Sequence, residues 1–145
     1  MQTLMIRDGD LVLGPAGFAT VSGTAKVFQD LSHAVREPYG SDRFHPRWGS
    51  VLPEMIGRRF TGEMRLLIAS EITRLVQNYM LTHQEVMQRD AGAGRKQRYR
   101  TGEIVSEVKD IDAIPHPSWP DRIIVRATVV TLTGEQISLL SVVEA

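Results

Sequence analysis

The stretch Arg122-Ile123-Ile124-Val125-Arg126-Ala127-Thr128-Val129-Val130-Thr131-Leu132-Thr133-Gly134-Glu135-Gln136-Ile137-Ser138-Leu139-Leu140-Ser141-Val142-Val143 decides the fold class. Its first half puts Ile123, Val125, Ala127 and Val129 on one face of an extended chain and Arg126 and Thr128 on the other, the two-residue period of a half-buried strand. Thr133-Gly134 reads as a two-residue hairpin turn, since glycine takes the positive φ such turns need. Residues 102–114 supply a further strand. There Ile104 and Val108 share one parity while Val105 and Ile111 share the other, a switch that a β-bulge produces. Pro115, Pro117 and Pro120, around His116 and Trp119, stiffen the connection between these two strands.

Upstream, the apolar period lengthens to that of helices. Val27, Phe28, Leu31, Ala34 and Val35 recur on one helical face after Ser22-Gly23-Thr24, whose hydroxyls are candidate caps. Pro38 ends that helix, because the residue before proline avoids the α region. Ser50 opens a short helix through Ile56, with Pro53 in its first turn and Gly57 closing it. The longest pattern starts at Thr61 and runs to about Gln88 through Met64, Leu67, Ile68, Ile72, Leu75, Val76, Tyr79, Met80, His83, Val86 and Met87. Ahead of all these, Asp8-Gly9 between two short apolar runs predicts a small N-terminal hairpin. No internal repeat is apparent. Helices followed by hairpin-linked strands predict one α+β domain over residues 1–145: a short N-terminal hairpin and helices, one of them long, packed on a C-terminal antiparallel sheet of three or more strands.

The totals exclude several function classes. Seventeen basic residues balance seventeen acidic ones, so no global charge argues for nucleic acid or an anionic membrane. With no cysteine there is no disulfide, thiolate zinc site or cysteine nucleophile. Residues 1–14 lack the pattern of a signal peptide and carry Asp8 and Asp10, and no run approaches the ~18 apolar residues of a membrane-spanning helix. Ala91-Gly92-Ala93-Gly94 reads as flexible, and the basic run Arg95-Lys96-Gln97-Arg98-Tyr99-Arg100 as a solvated loop or a contact for an acidic partner rather than a nucleic-acid strip.

Catalytic patterns are sparse. His33, His45, His83 and His116 lie in separate elements, and none makes a metal-binding pair at helical spacing. Glu37 with Asp42, or Glu54 with Glu63, are the carboxylate pairs conceivable for glycoside hydrolysis, but such spacings arise readily by chance. A non-enzymatic binding or assembly module without cofactor or metal is therefore expected.

The segment from Pro38 to Ser50 resists periodicity. Tyr39, Gly40, Arg43, Pro46, Arg47, Trp48 and Gly49 gather aromatic, cationic and turn-forming residues on an irregular loop. They are the candidate assembly interface, and a plug of aromatics at the end of a small core is the plainer alternative.

The order Gly9-Asp10, Val21-Ser22-Gly23, Gln29-Asp30-Leu31, Gly40, Pro46-Arg47-Trp48-Gly49 and Leu52 resembles the baseplate wedge family of contractile tails, the sheath-initiating protein of phages with relatives in type VI secretion systems. Motif-level detail lies in residues 21–57, and the long helix and terminal strands are similar in shape. Where many members carry a Glu-Pro-Arg signature, this chain has Asn78-Tyr79-Met80, and residues 81–100 lack an obvious counterpart. The resemblance implies a non-catalytic subunit of the virion's tail baseplate, assembled in the host cytoplasm and present in several copies. Its implied partners are other wedge proteins, the tail sheath subunit and the tail tube. A small tail-associated peptidoglycan hydrolase, or a regulator sharing the fold, is the alternative. Sheath subunits of such tails join by strand exchange. The last strand has neither proline nor charge between Gln136 and Val143, so Gln136, Ile137, Ser138, Leu139, Leu140 and Ser141 are the expected sheath-facing edge.

Overall fold

The computed structural model describes residues 1–55, 58 and 60–143. Six two-residue strands open the chain: β1 (Thr3–Leu4), β2 (Ile6–Arg7), β3 (Asp10–Leu11), β4 (Leu13–Gly14), β5 (Gly17–Phe18) and β6 (Thr20–Val21). They pair as three antiparallel ribbons, β1 with β6, β2 with β3 and β4 with β5. Asp8 and Gly9 turn the second ribbon with φ of 53° and 84°, the double positive φ of a type I′ turn.

Where the ribbons meet, Met5 N–H donates to the Ala19 carbonyl at 2.8 Å, Ala19 N–H to Val12 at 2.8 Å, and Val12 N–H to Met5 at 3.0 Å. Three residues at a constant spacing thus close a ring of backbone hydrogen bonds. The expectation of one hairpin needs correcting to three ribbons; their recurrence is one of backbone geometry, which side-chain types do not record.

Helix α1 (Gly23–Arg36) follows. Ser22 stands at its N-cap without a side-chain hydrogen bond, and Glu103 Oε1 accepts from Gly23 N–H at 2.9 Å instead. A carboxylate from the far end of the sequence therefore does the work expected of a local hydroxyl, favoured by the helix dipole. Phe28, expected on the inner face, is 42% exposed.

In the short helix α2 (Leu52–Met55), Ser50 Oγ accepts from Leu52 N–H at 3.1 Å, as its cap role predicts. Gly57 lies outside the described residues. The long helix α3 (Gly62–Gly92) begins with Thr61 Oγ1 accepting from Met64 N–H at 3.2 Å. It continues past Gln88 because Ala93 N–H reaches the Arg89 carbonyl and Gly94, at φ 65°, donates to Ala91, each at 3.1 Å. The segment expected to be flexible is thus the closing turn of the helix. Leu67, expected inside, is 57% exposed.

A 3-10 turn at Thr101–Glu103 precedes β7 (Val105–Pro115), β8 (Ile123–Thr131) and β9 (Gln136–Val143). These form an antiparallel sheet in the order β7-β8-β9. Register shifts at Val105/Glu107 and Val108/Asp110 account for the mixed parity of β7. The β8–β9 turn holds three residues rather than two: Thr131 N–H donates to Glu135 at 3.0 Å and Gly134 N–H to Thr131 at 2.9 Å, with Gly134 at φ 81°. Glycine fills the left-handed position that follows the turn proper.

The fold is α+β, with α1 packed on β9 and α3 on β7. Val27, Leu31 and Ala34 of α1 and Ile68, Ile72, Leu75 and Val76 of α3 meet Ala113, Val125, Ala127, Val129, Ile137 and Leu139 in one core. Burying side chains of this kind stabilises by roughly 1.5–3 kcal/mol each before the entropy of ordering them is set against it.

Candidate functional site

Two surfaces and one cavity gather the residues with chemical character. The first surface is the loop 38–50, which α3 holds by its backbone. Glu71 Oε1 accepts from Val51 N–H at 3.0 Å, Arg74 donates to the Gly49 carbonyl at 2.8 Å, and Asn78 donates to that of Arg47 at 3.2 Å. These residues share a helical face, so one polar stripe clamps the loop along its length. Burial disfavours the charge on Glu71, yet its two bonds from Arg74 and the Val51 amide outweigh that and hold the carboxyl below its ordinary range.

The base of the loop closes through Tyr39 N–H to Ser50 at 2.9 Å and Ser50 N–H to Glu37 at 2.7 Å. Gly40, at φ 74°, donates to Trp48 at 3.0 Å. Gly49 is buried at φ 89°, and a Cβ there would meet the Pro38 carbonyl oxygen at 2.5 Å.

Of the residues predicted for an interface, Trp48 turns inward against the core, with its ring centroid 6.2 Å from that of Tyr79. Tyr39 lies under the Arg74 guanidinium at 4.9 Å. Arg43, Pro46 and Arg47 stay exposed. Of the exposed large hydrophobic residues Phe44 is displayed most openly, at 87%, and sequence reasoning did not single it out. Asp42 Oδ1 accepts from Phe44 N–H at 2.8 Å and Asp42 Oδ2 contacts His45 Nδ1 at 2.8 Å, so the turn that presents Phe44 is internally braced. An Asp two residues before an exposed aromatic was the available signal.

Beneath the loop lies a cavity of about 470 Å³ lined by Lys26, Asp30, Trp48, Tyr79, His83 and Tyr99 among others. Lys26 pairs with Asp30, whose Oδ2 also accepts from Tyr79 OH at 2.9 Å. His83 sits between Tyr79 and Tyr99, each ring centroid 4.1 Å away. Burial, with Lys26 adding, pushes the His83 imidazole down to about 4, while Asp30 and Glu103 pull it the other way. Burial first, and Asp30 second, push the Tyr79 phenol far above its ordinary value. At neutral pH the cluster is therefore a neutral imidazole between two neutral phenols beside one ion pair.

Tyr99 belongs to the basic run expected to be solvated, and Arg98 there makes two bonds to buried Asp90 at 2.7 and 2.8 Å. Arg98 and Tyr99 thus fold back onto α3, while Arg95, Lys96, Gln97 and Arg100 are exposed, as expected of a solvated loop. Glu103, expected in a strand, is fully buried and accepts from Arg100 N–H at 3.0 Å and from the Met1 ammonium at 2.7 Å. Its carboxylate gathers three separate segments, which no local pattern announces.

Of the carboxylates considered for hydrolysis, only Asp42 lines this cavity, and it is engaged by His45. Among the described residues no group of three or more His, Asp or Glu is placed to hold a metal, and no helix is long and apolar enough to cross a membrane.

The second surface is the outer edge of β9. The Thr131–Glu135 bond sets the alternation of the β8–β9 ladder, so Ile137 and Leu139 exchange bonds with Val129 and Ala127. Gln136, Ser138 and Leu140 then direct N–H and C=O away from β8, and no described residue pairs with them. For Ser141 the structure describes the backbone alone, paired with Val125. The opposite edge, β7, carries Glu107, Lys109, Asp110 and Asp112 and both register shifts, the usual protections against strand addition.

No protein-family model matches the chain, and neither a curated protein nor a solved structure shows significant similarity to it.

Proposed function

We propose that this chain is a structural subunit of a contractile-tail baseplate that joins the wedge to the first sheath ring and starts sheath assembly by strand pairing. The observation that carries this reading is the unequal treatment of the two sheet edges. β7 is charged and bulged, whereas β9 leaves the outward amides and carbonyls of Gln136, Ser138 and Leu140 unpaired among the described residues. A bare, uncharged edge either aggregates or receives another strand. The resemblance of residues 21–57 to the wedge family supplies the partner, an extended arm of the sheath subunit. In the same reading the wedge is met by the loop 38–50 through Arg43, Phe44 and Arg47, which the α3 stripe holds in place.

Amide hydrogen exchange on the isolated protein and on its mixture with the sheath subunit of the same particle tests the proposal. The amides of Gln136, Ser138 and Leu140 are expected to exchange quickly alone and slowly in the mixture. Equal protection in both samples would sink it.

A further inference from the structure

The edge of β9 is not flat surroundings for an incoming strand. Thr24, Ala25 and Phe28 of α1 overhang Glu135, Gln136, Ile137 and Ser138, and together they line a shallow groove along that edge. Phe28 is 42% exposed there, although it sits on a helix whose neighbouring Val27 and Leu31 are fully or almost fully buried. A strand added to β9 lies ~4.8 Å further out, with alternate side chains on the same face as Ile137 and Leu139. Those side chains fall on the α1 flank, over Phe28 and Ala25. The remaining side chains share the exposed face of Gln136, Ser138 and Leu140.

The groove lining contains one charged residue, Glu135, at the hairpin end. An acidic side chain laid over Phe28 would lose hydration without gaining a partner, whereas a cation at the hairpin end meets Glu135. Accordingly, we infer that the groove between α1 and β9 selects the strand that pairs there. The occupant is an extended segment of a partner protein with apolar side chains at alternate positions and a lysine or arginine at the end beside Glu135. Phe28 is the specificity-determining contact, and main-chain bonds to Gln136, Ser138 and Leu140 supply the register. This rests on the acceptor-edge reading above and adds to it a side-chain preference.

The test is selection of a random twelve-residue peptide library on the intact chain, followed by titration of the best synthetic peptide. Enriched peptides are expected to alternate apolar and polar residues, to carry a basic end and to lack acidic residues. Two variants separate the two ideas. Ser138→Pro removes an outward amide that makes no bond to β8, and Phe28→Glu alters the groove alone. Circular dichroism and melting curves like those of the wild type qualify each variant, with Ala25→Glu as the second groove change should Phe28→Glu fold poorly. Tenfold or greater loss of affinity in both the edge and groove variants supports the inference. Loss in Ser138→Pro with full binding in the groove variants overturns the role of Phe28 and leaves the acceptor edge standing. Binding indifferent to both, failure to enrich alternating peptides, or a wild-type dimer already protecting Gln136, Ser138 and Leu140 overturns the inference, in the last case because a second copy is the occupant.

Discussion

At the scale of single residues, backbone geometry and burial set the sensitive positions. Gly49 combines φ 89° with a Cβ position 2.5 Å from one backbone oxygen and 2.8 Å from another, neither of which belongs to a yielding side chain. Gly49→Ala is expected to destabilise by ~2–4 kcal/mol, read as a lowered urea midpoint, whereas Gly9→Ala, with positive φ but open space, costs ~1 kcal/mol. His83 is the other such position. Its folded value is depressed to about 4 from an ordinary 6.5, so the unfolded chain binds the extra proton first as pH falls. The contribution of neutral His83 is complete above the unfolded value and is lost as pH drops from there toward 4. Between pH 7 and 5 the protein should lose about 2 kcal/mol from this group. Lys26, Asp30, Glu103, Tyr79 and Tyr99 face the ring, and Glu103, like Glu71 and Asp90, is held below the ordinary carboxylate range, so carboxylate losses come at lower pH. His83→Phe keeps the stacking and is expected to flatten the pH 7-to-5 limb of urea stability. An unchanged slope would show that the imidazole is not held neutral.

At the scale of elements, α3 both supplies the core and positions the loop. Its buried side chains repeat along one face, and Glu71, Arg74 and Asn78 form a second stripe that bonds to loop backbone. Removing Glu71 leaves the Val51 amide unbonded and Arg74 unpaired, so Glu71→Ala should cost ~2–3 kcal/mol and speed proteolysis between residues 38 and 50. Arg74→Lys is expected to restore little, since a lysine cannot donate to Glu71 and Gly49 in the same planar fork. Within the loop itself, Trp48→Ala should cost ~3 kcal/mol through lost packing, while Arg47→Ala leaves thermal stability unchanged, its guanidinium being exposed and 3.8 Å from Glu85. Melting temperatures of Glu71→Ala and Arg74→Lys equal to that of the wild type would show that α3 does not hold the loop.

For the whole molecule, the sheet is covered on one face by two helices and open along β9. The outer face there carries Leu140, 56% exposed, beside an unpaired backbone row. The isolated protein is expected to stay monomeric, with this edge free, at the concentrations of the exchange and peptide experiments, and to associate weakly through it only well above them. Leu140→Lys should suppress that in light scattering with less than ~0.5 kcal/mol change in stability, because it places on β9 the charge that β7 already has. Self-association undiminished by the charge would move the contact to another surface, such as the exposed Leu66 and Leu67 of α3.

The sequence by itself determined the α+β class, the start of each main helix, the three C-terminal strands and the bulged first one. Each of these is written in a local period, a capping residue or a turn glycine, and local steric and hydrophobic preferences suffice to read them. Only the tertiary structure decided the ring of hydrogen bonds at Met5, Val12 and Ala19, the Glu103 cap on α1, the inward turn of Trp48 with the display of Phe44, and the folding-back of Arg98 and Tyr99. In each case the partner lies in another segment of the chain, or the signal is carried by backbone atoms common to every residue type. The two strand edges show both kinds of information at once: their charges can be read from the sequence, but which edges end up unpaired depends on the order in which the strands assemble.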